Sequence, residues 1–181
     1  HSGIHTFHVG KRAKVRYVER HYGEGDGRGE NIMNPTTVVE MDEDSYMEME
    51  TTQIKGVDST VRTTRAKLGP DSTLIIKEKV MTHGKQLAKS DFTVDLDGDG
   101  CHTNVISRSV AREDSKQVFL ARINGNARFK FYPLDIFLIG IDMMVSFHAS
   151  RHLSPITKST RIARHVSSWN MVEDFASIRS F

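Results

Sequence analysis

Nine residues from Val94 to His102 read VDLDGDGCH and hold three aspartates, two glycines, the only cysteine of the chain and a histidine. Asp95, Asp97 and Asp99 followed by Gly100 match the opening of an EF-hand loop, in which alternating oxygens and a glycine at position six wrap a calcium ion. Cys101 and His102 offer a thiolate and an imidazole, donors that suit zinc or iron. Both readings meet obstacles nearby. Loop position twelve, which must be a bidentate Glu, is Ile106, and the flanks SDFTV and TNVISRSV look like strands where an EF-hand needs helices. Adjacent strand residues point to opposite faces, so Cys101 and His102 do not readily share an ion, and a structural zinc site wants four ligands. A glycine-rich turn whose carboxylates face water and cap backbone amides is the simpler reading. Calcium or another ligand held by the Asp95/Asp97/Asp99 turn stands as the alternative.

Other chemistry is sparse. His5, His8, His21, His83, His148, His152 and His165 form no HExxH pattern, and no nucleophile elbow or phosphate-binding loop is present. Glu48 and Glu50 share one strand face, as a polysaccharide-cleaving solenoid would require of paired carboxylates, yet a solvated face explains them more simply. The residues therefore predict a protein that is not an enzyme.

The elements that carry these residues are strands. Turn signals recur about every dozen residues, at Gly10, Asp42 to Asp44, Gly69 to Asp71, Gly84 and Gly98 to Gly100 among others, as stacked short strands require. Between them lie TTVVEM, YMEMETTQI, STVRTTRAKL, STLIIKEKVM and QVFLARI, rich in β-branched residues and alternating in polarity. Met47, Met49 and Thr51 fall on one face, and Tyr46, Glu48 and Glu50 on the other. EGDGRGENIMNP reads as a surface loop. The pattern fits a β-sandwich or a β-solenoid equally. After Leu134 it changes, and helical spacing from Ile162 to Phe175 predicts a weakly helical tail. We place the division at residues 1–145 for the β core and 146–181 for the tail.

Composition narrows the setting. The 181 residues suffice for one core, and 25 basic against 23 acidic side chains leave a formal charge of +2, so nucleic acid is not an implied partner. A single cysteine excludes an internal disulfide and suits the cytoplasm. The apolar run from Ile136 to Val145 contains Asp142 and is too short to cross a bilayer, so no membrane partner is expected. A first residue other than Met, leading directly into strand-like sequence, reads as an excerpt of a longer protein.

HTFHVGKRAKVRYVERHYGEG, EKVMTHGKQLAKSDFTVDLDGDG and above all SRSVAREDSKQVFLARINGN resemble the core domain of the SufB/SufD family, the iron–sulfur cluster assembly scaffolds, in a short archaeal or bacterial form. The resemblance covers about residues 4 to 128. It implies a right-handed parallel β-helix, which would settle the choice between sandwich and solenoid. It also implies a SufC-like ABC ATPase as partner, a SufB/SufD-type homo- or heterodimer, and a transient iron–sulfur cluster shared with a partner. The pattern departs after Asn126: Leu134 stands where the family carries a cysteine, Asp135 fits, and His21 stands near the position of a sulfur-accepting cysteine. Cys101, His102 and His21 are thus the iron–sulfur candidates, and a SufD-type or minimal member is expected rather than a complete cluster holder.

Overall fold

The computed structural model describes residues 2–23, 31–125, 134–139, 143–150, 160–165 and 174–175. These residues are all β, in fourteen strands: β1 Ile4–Val9, β2 Lys14–Tyr22, β3 Ile32–Met33, β4 Thr36–Met41, β5 Tyr46–Lys55, β6 Ser59–Leu68, β7 Thr73–Thr82, β8 Leu87–Leu96, β9 His102–Ala111, β10 Lys116–Gly125, β11 Leu134–Ile139, β12 Met143–Ser150, β13 Thr160–His165 and β14 Asp174–Phe175. From β4 onward the chain alternates between two sheets. One runs β1-β4-β6-β8-β10-β12-β14 with β3 beside β6, and the other runs β13-β11-β9-β7-β5-β2. Every pairing is parallel, and one coil takes about 28 residues, since Thr36 lies beside Thr63, Ser59 beside Leu87 and Thr73 beside His102. This is a β-solenoid, and it decides between the two architectures that alternation left open.

Strict alternation builds each strand. In β6 every second residue is buried, so Thr60, Arg62, Thr64, Ala66 and Leu68 point inward while Val61 and Lys67 face water. Stacking then aligns like with like. Met49 lies over Ile76, and Ile76 over Val105. The apolar half of the interior holds Val39, Met49, Leu68, Ile76, Val94, Leu96, Phe119 and Ile123. Each such side chain contributes about 1.5–3 kcal/mol by leaving water.

Where the first sheet hands over to the second, the turns stack too. Asp42–Ser45, Gly69–Ser72 and Gly98–Cys101 superpose coil on coil, joined by Asp44 N–H to Pro70 O and Asp71 N–H to Asp99 O, both 2.9 Å. Asp44, Asp71 and Gly100 take φ of 56°, 54° and 72°, a left-handed conformation that Asp and Gly tolerate better than other residues. Gly98 is needed for a second reason: a Cβ there would lie 2.1 Å from Pro70 N, which is backbone.

Of the span expected to be helical, Ile162 to Phe175, the structure describes residues 162–165 and 174–175. These stretches lie in strands, β13 paired with β11 and β14 with β12. Ladder pairing with a preceding coil supplies the backbone partners that a helix would otherwise make internally. Residues 166–173 and the glycine-rich stretch 24–30 lie outside the described residues.

Candidate functional site

VDLDGDGCH is one of the stacked turns. Asp95, next to last in β8, lies on the outer face and accepts a 2.7 Å hydrogen bond from Asn124 Nδ2 of the next coil. Asp97 and Asp99 are exposed on the turn, and their backbone groups tie it to Leu68 and Asp71. Cys101 occupies the position that Ser45 and Ser72 hold in the two turns above it, where each serine Oγ donates back to the carbonyl opening its own turn, at 2.6 and 2.7 Å. Its thiol is fully buried. His102 points the other way, half-buried, and burial holds its imidazole below the ordinary histidine range. The structure therefore separates Cys101 from His102, as strand geometry predicts. Among the described residues no group of three or more His, Cys, Asp and Glu is arranged to hold a metal ion.

His21 lies at the far end of the second sheet, in register with Gln53, Val80 and Ser109. Cys101 sits just before the opposite end of those strands, roughly 25 Å away along the strand direction at about 3.3 Å per residue, and three coils over. The three iron–sulfur candidates thus do not converge.

What His21 does join is a polar interior that takes over from the apolar half. Glu19, Thr51, Glu78 and Ser107 form one inward column, and Arg62 lies beside Ser90 in the facing sheet. Arg62 Nη1 donates to Glu78 Oε1 at 2.7 Å, with the two side chains 4% and 2% exposed. Ser90 Oγ donates to the same oxygen at 2.5 Å and Ser107 Oγ to Glu78 Oε2 at 3.0 Å. Arg62 Nη2 lies 2.9 Å from His21 Nδ1 and 3.4 Å from Gln53 Oε1.

Because a guanidinium only donates, His21 Nδ1 must accept, which leaves Nε2 to donate to Glu19 Oε1 at 2.6 Å. Burial raises the Glu19 carboxyl, but the hydrogen bond from His21 and the positive charge of Arg62 nearby outweigh it, and the group lies below its ordinary value. Tyr17, whose hydroxyl meets His5 Nδ1 at 2.8 Å, is raised by burial and by the charge of Glu19, against a lowering by Arg62. Further along, Thr82, Ser115 and Gln117 form a second buried cluster, with 2.9 Å between partners. Such a spine fixes side chains across four coils and orders donors and acceptors in a dry interior, where each bond is stronger than at the surface. No motif marks Arg62 or Glu78. Their signal was phase: each is a charged residue on the buried face of an alternating strand.

The family model for the SUF system FeS cluster assembly SufBD core domain matches residues 1–128. The chain belongs to the SufBD core-domain family. That match ends where the sequence resemblance fails, just after Asn126. An iron–sulfur cluster assembly SufBD family protein of Methanocaldococcus jannaschii, MJ0034, is 29% identical over 128 residues, which is 70% of this chain and 40% of the relative. The chain spans less than half the length of that SufBD protein. No solved structure matches significantly. Leu134 and Asp135, at the positions where the SufBD resemblance places cluster chemistry, open β11 beside Val105 and Ile106.

Proposed function

We propose that this SufBD core domain serves iron–sulfur cluster assembly as a SufB/SufD-type scaffold or accessory subunit, without turnover of its own. The observation that carries the reading is the family match over residues 1–128, on a chain that folds as a parallel solenoid. It acts with a SufC-like ABC ATPase and a second SufB/SufD-type subunit, and the cluster is cargo shared transiently with that partner. An accessory role is supported by the burial of Cys101 and its distance from His21, since a cluster commonly takes four thiolate, imidazole or carboxylate ligands. The cytoplasm suits a chain with one thiol. Among the described residues no helix is long and apolar enough to cross a membrane.

Co-expression with a SufC-like ATPase and a SufB-type subunit tests the proposal. A complex that survives gel filtration and gains visible absorbance on anaerobic loading with iron and sulfide is expected. Absence of both the complex and the absorbance would overturn it.

A further inference from the structure

The outer face of the second sheet carries an apolar stripe near the ends of its strands. Tyr22, Ile54 and Met81 are 52%, 44% and 38% exposed, and Val110 lies beside Met81 in register. Ile54 is the residue skipped where the β2–β5 register shifts between His21 and Tyr22, so that Tyr22 lies in register with Lys55. One outward position back along the strands, Arg20, Thr52, Lys79 and Arg108 form a second row in continuous register. Glu50 holds Lys79 at 3.1 Å, whereas Arg20 and Arg108 have no acidic partner among the described residues. Beyond the stripe, the turns carry exposed Lys85 and Arg112, and the Glu113 carboxylate there is committed to Gly84 N–H at 2.6 Å.

We propose that this stripe docks a helix of another protein, laid along the solenoid axis, with an apolar seam and a flank of Glu or Asp. Coils repeat at about 4.8 Å and a helix advances about 5.4 Å per turn, so successive seam residues meet successive coils over this short span. The acidic flank then faces Arg20, Lys79 and Arg108. A second copy of this chain is the wrong occupant, because two such faces brought together oppose cation to cation. The inference does not depend on the iron–sulfur reading.

The test uses two synthetic helical peptides with one leucine seam, one flanked by Glu and the other by Lys, titrated into the whole chain by fluorescence anisotropy. The Glu peptide is expected to bind about tenfold tighter, the scale that a few exposed charge pairs supply. Arg20→Glu/Lys79→Glu/Arg108→Glu is expected to reverse the order, and Ile54→Asp/Met81→Asp to abolish binding of both, with circular dichroism confirming that the variants fold. Equal affinity for the two peptides, binding of neither, or a preference unchanged in the triple variant overturns the proposal. So does adsorption to phosphatidylglycerol vesicles that the same variants abolish while peptide binding persists.

Discussion

Replacing Glu78 by leucine strands Arg62 inside the solenoid. The guanidinium then keeps only His21 Nδ1 at 2.9 Å and the long 3.4 Å contact to Gln53, and the Ser90 and Ser107 hydroxyls lose their acceptor. Removing one member of a buried ion pair costs about 3–5 kcal/mol, because the survivor's charge has neither water nor partner. For a chain of this size each kcal/mol moves the melting temperature about 2–4 °C, so Glu78→Leu should lower it by roughly 6 to 20 °C. The informative variant is the double one, Arg62→Met/Glu78→Leu. With both charges gone the desolvation cost disappears as well, and what remains is the unmade hydrogen bonds of Ser90, Ser107 and His21, about 1 kcal/mol each. The double variant should therefore be more stable than Glu78→Leu alone. Urea unfolding of the four proteins in the cycle, followed by circular dichroism, measures the coupling. A double variant whose loss equals the sum of the two single losses would falsify the account of these residues as one unit.

Gly98→Ala places a Cβ against the Pro70 backbone and should lower the urea midpoint by about 1–3 kcal/mol equivalent, more than alanine at exposed Gly10, where nothing lies within 4 Å. Cys101→Ser should cost no more than about 1 kcal/mol, since Ser45 and Ser72 already occupy that turn position, and the native thiol should react with an aromatic disulfide only as fast as the coil opens. Calcium should leave the melting temperature unchanged, because Asp95, Asp97 and Asp99 are not gathered around one point; a rise with calcium concentration would refute this. Glu19 lies below its ordinary value in the folded chain, so its contribution is complete above the usual carboxylate range and is lost as pH falls through that range and below. Urea midpoints between about pH 6 and 3 should therefore fall less steeply in Glu19→Gln than in the parent chain.

Alternation made much of the solenoid legible before any coordinates. YMEMETT placed Met47 and Met49 inside and Glu48 and Glu50 outside, and the latter two now pair with Lys77, Lys79 and Arg16 across neighbouring coils. The spacing of the turns was legible for the same reason, since a strand of fixed length must end where the coil bends. The partner of each strand was not. A residue in β5 meets one in β7 because about 28 residues close one coil, and that distance exceeds any local sequence pattern. TRIARH satisfies a helical spacing as readily as a ladder, and β11 beside it makes this described part of the tail a strand. The buried spine is not legible from residue type, since Arg62, Glu78, Ser90 and Ser107 form no metal-binding or catalytic motif. Arg62 and Glu78 were conspicuous only by phase.

Register has one more consequence, for how such a chain can change length. Ser59 lies opposite Leu87, and the Leu87 N–H already reaches Asp58 O at 2.9 Å. Excising residues 59–86 and joining Asp58 to Leu87 would take out one whole coil and let β5 meet β9 where it now meets β7. Arg62 and Glu78 would leave together, so the shortened interior would inherit no orphaned charge. The buried ion pair is contained within the module that can be deleted, whereas the exposed pairs of Glu48 with Lys77 and Glu50 with Lys79 cross its boundary, and growth or loss by whole modules is a step that leaves the remaining columns aligned.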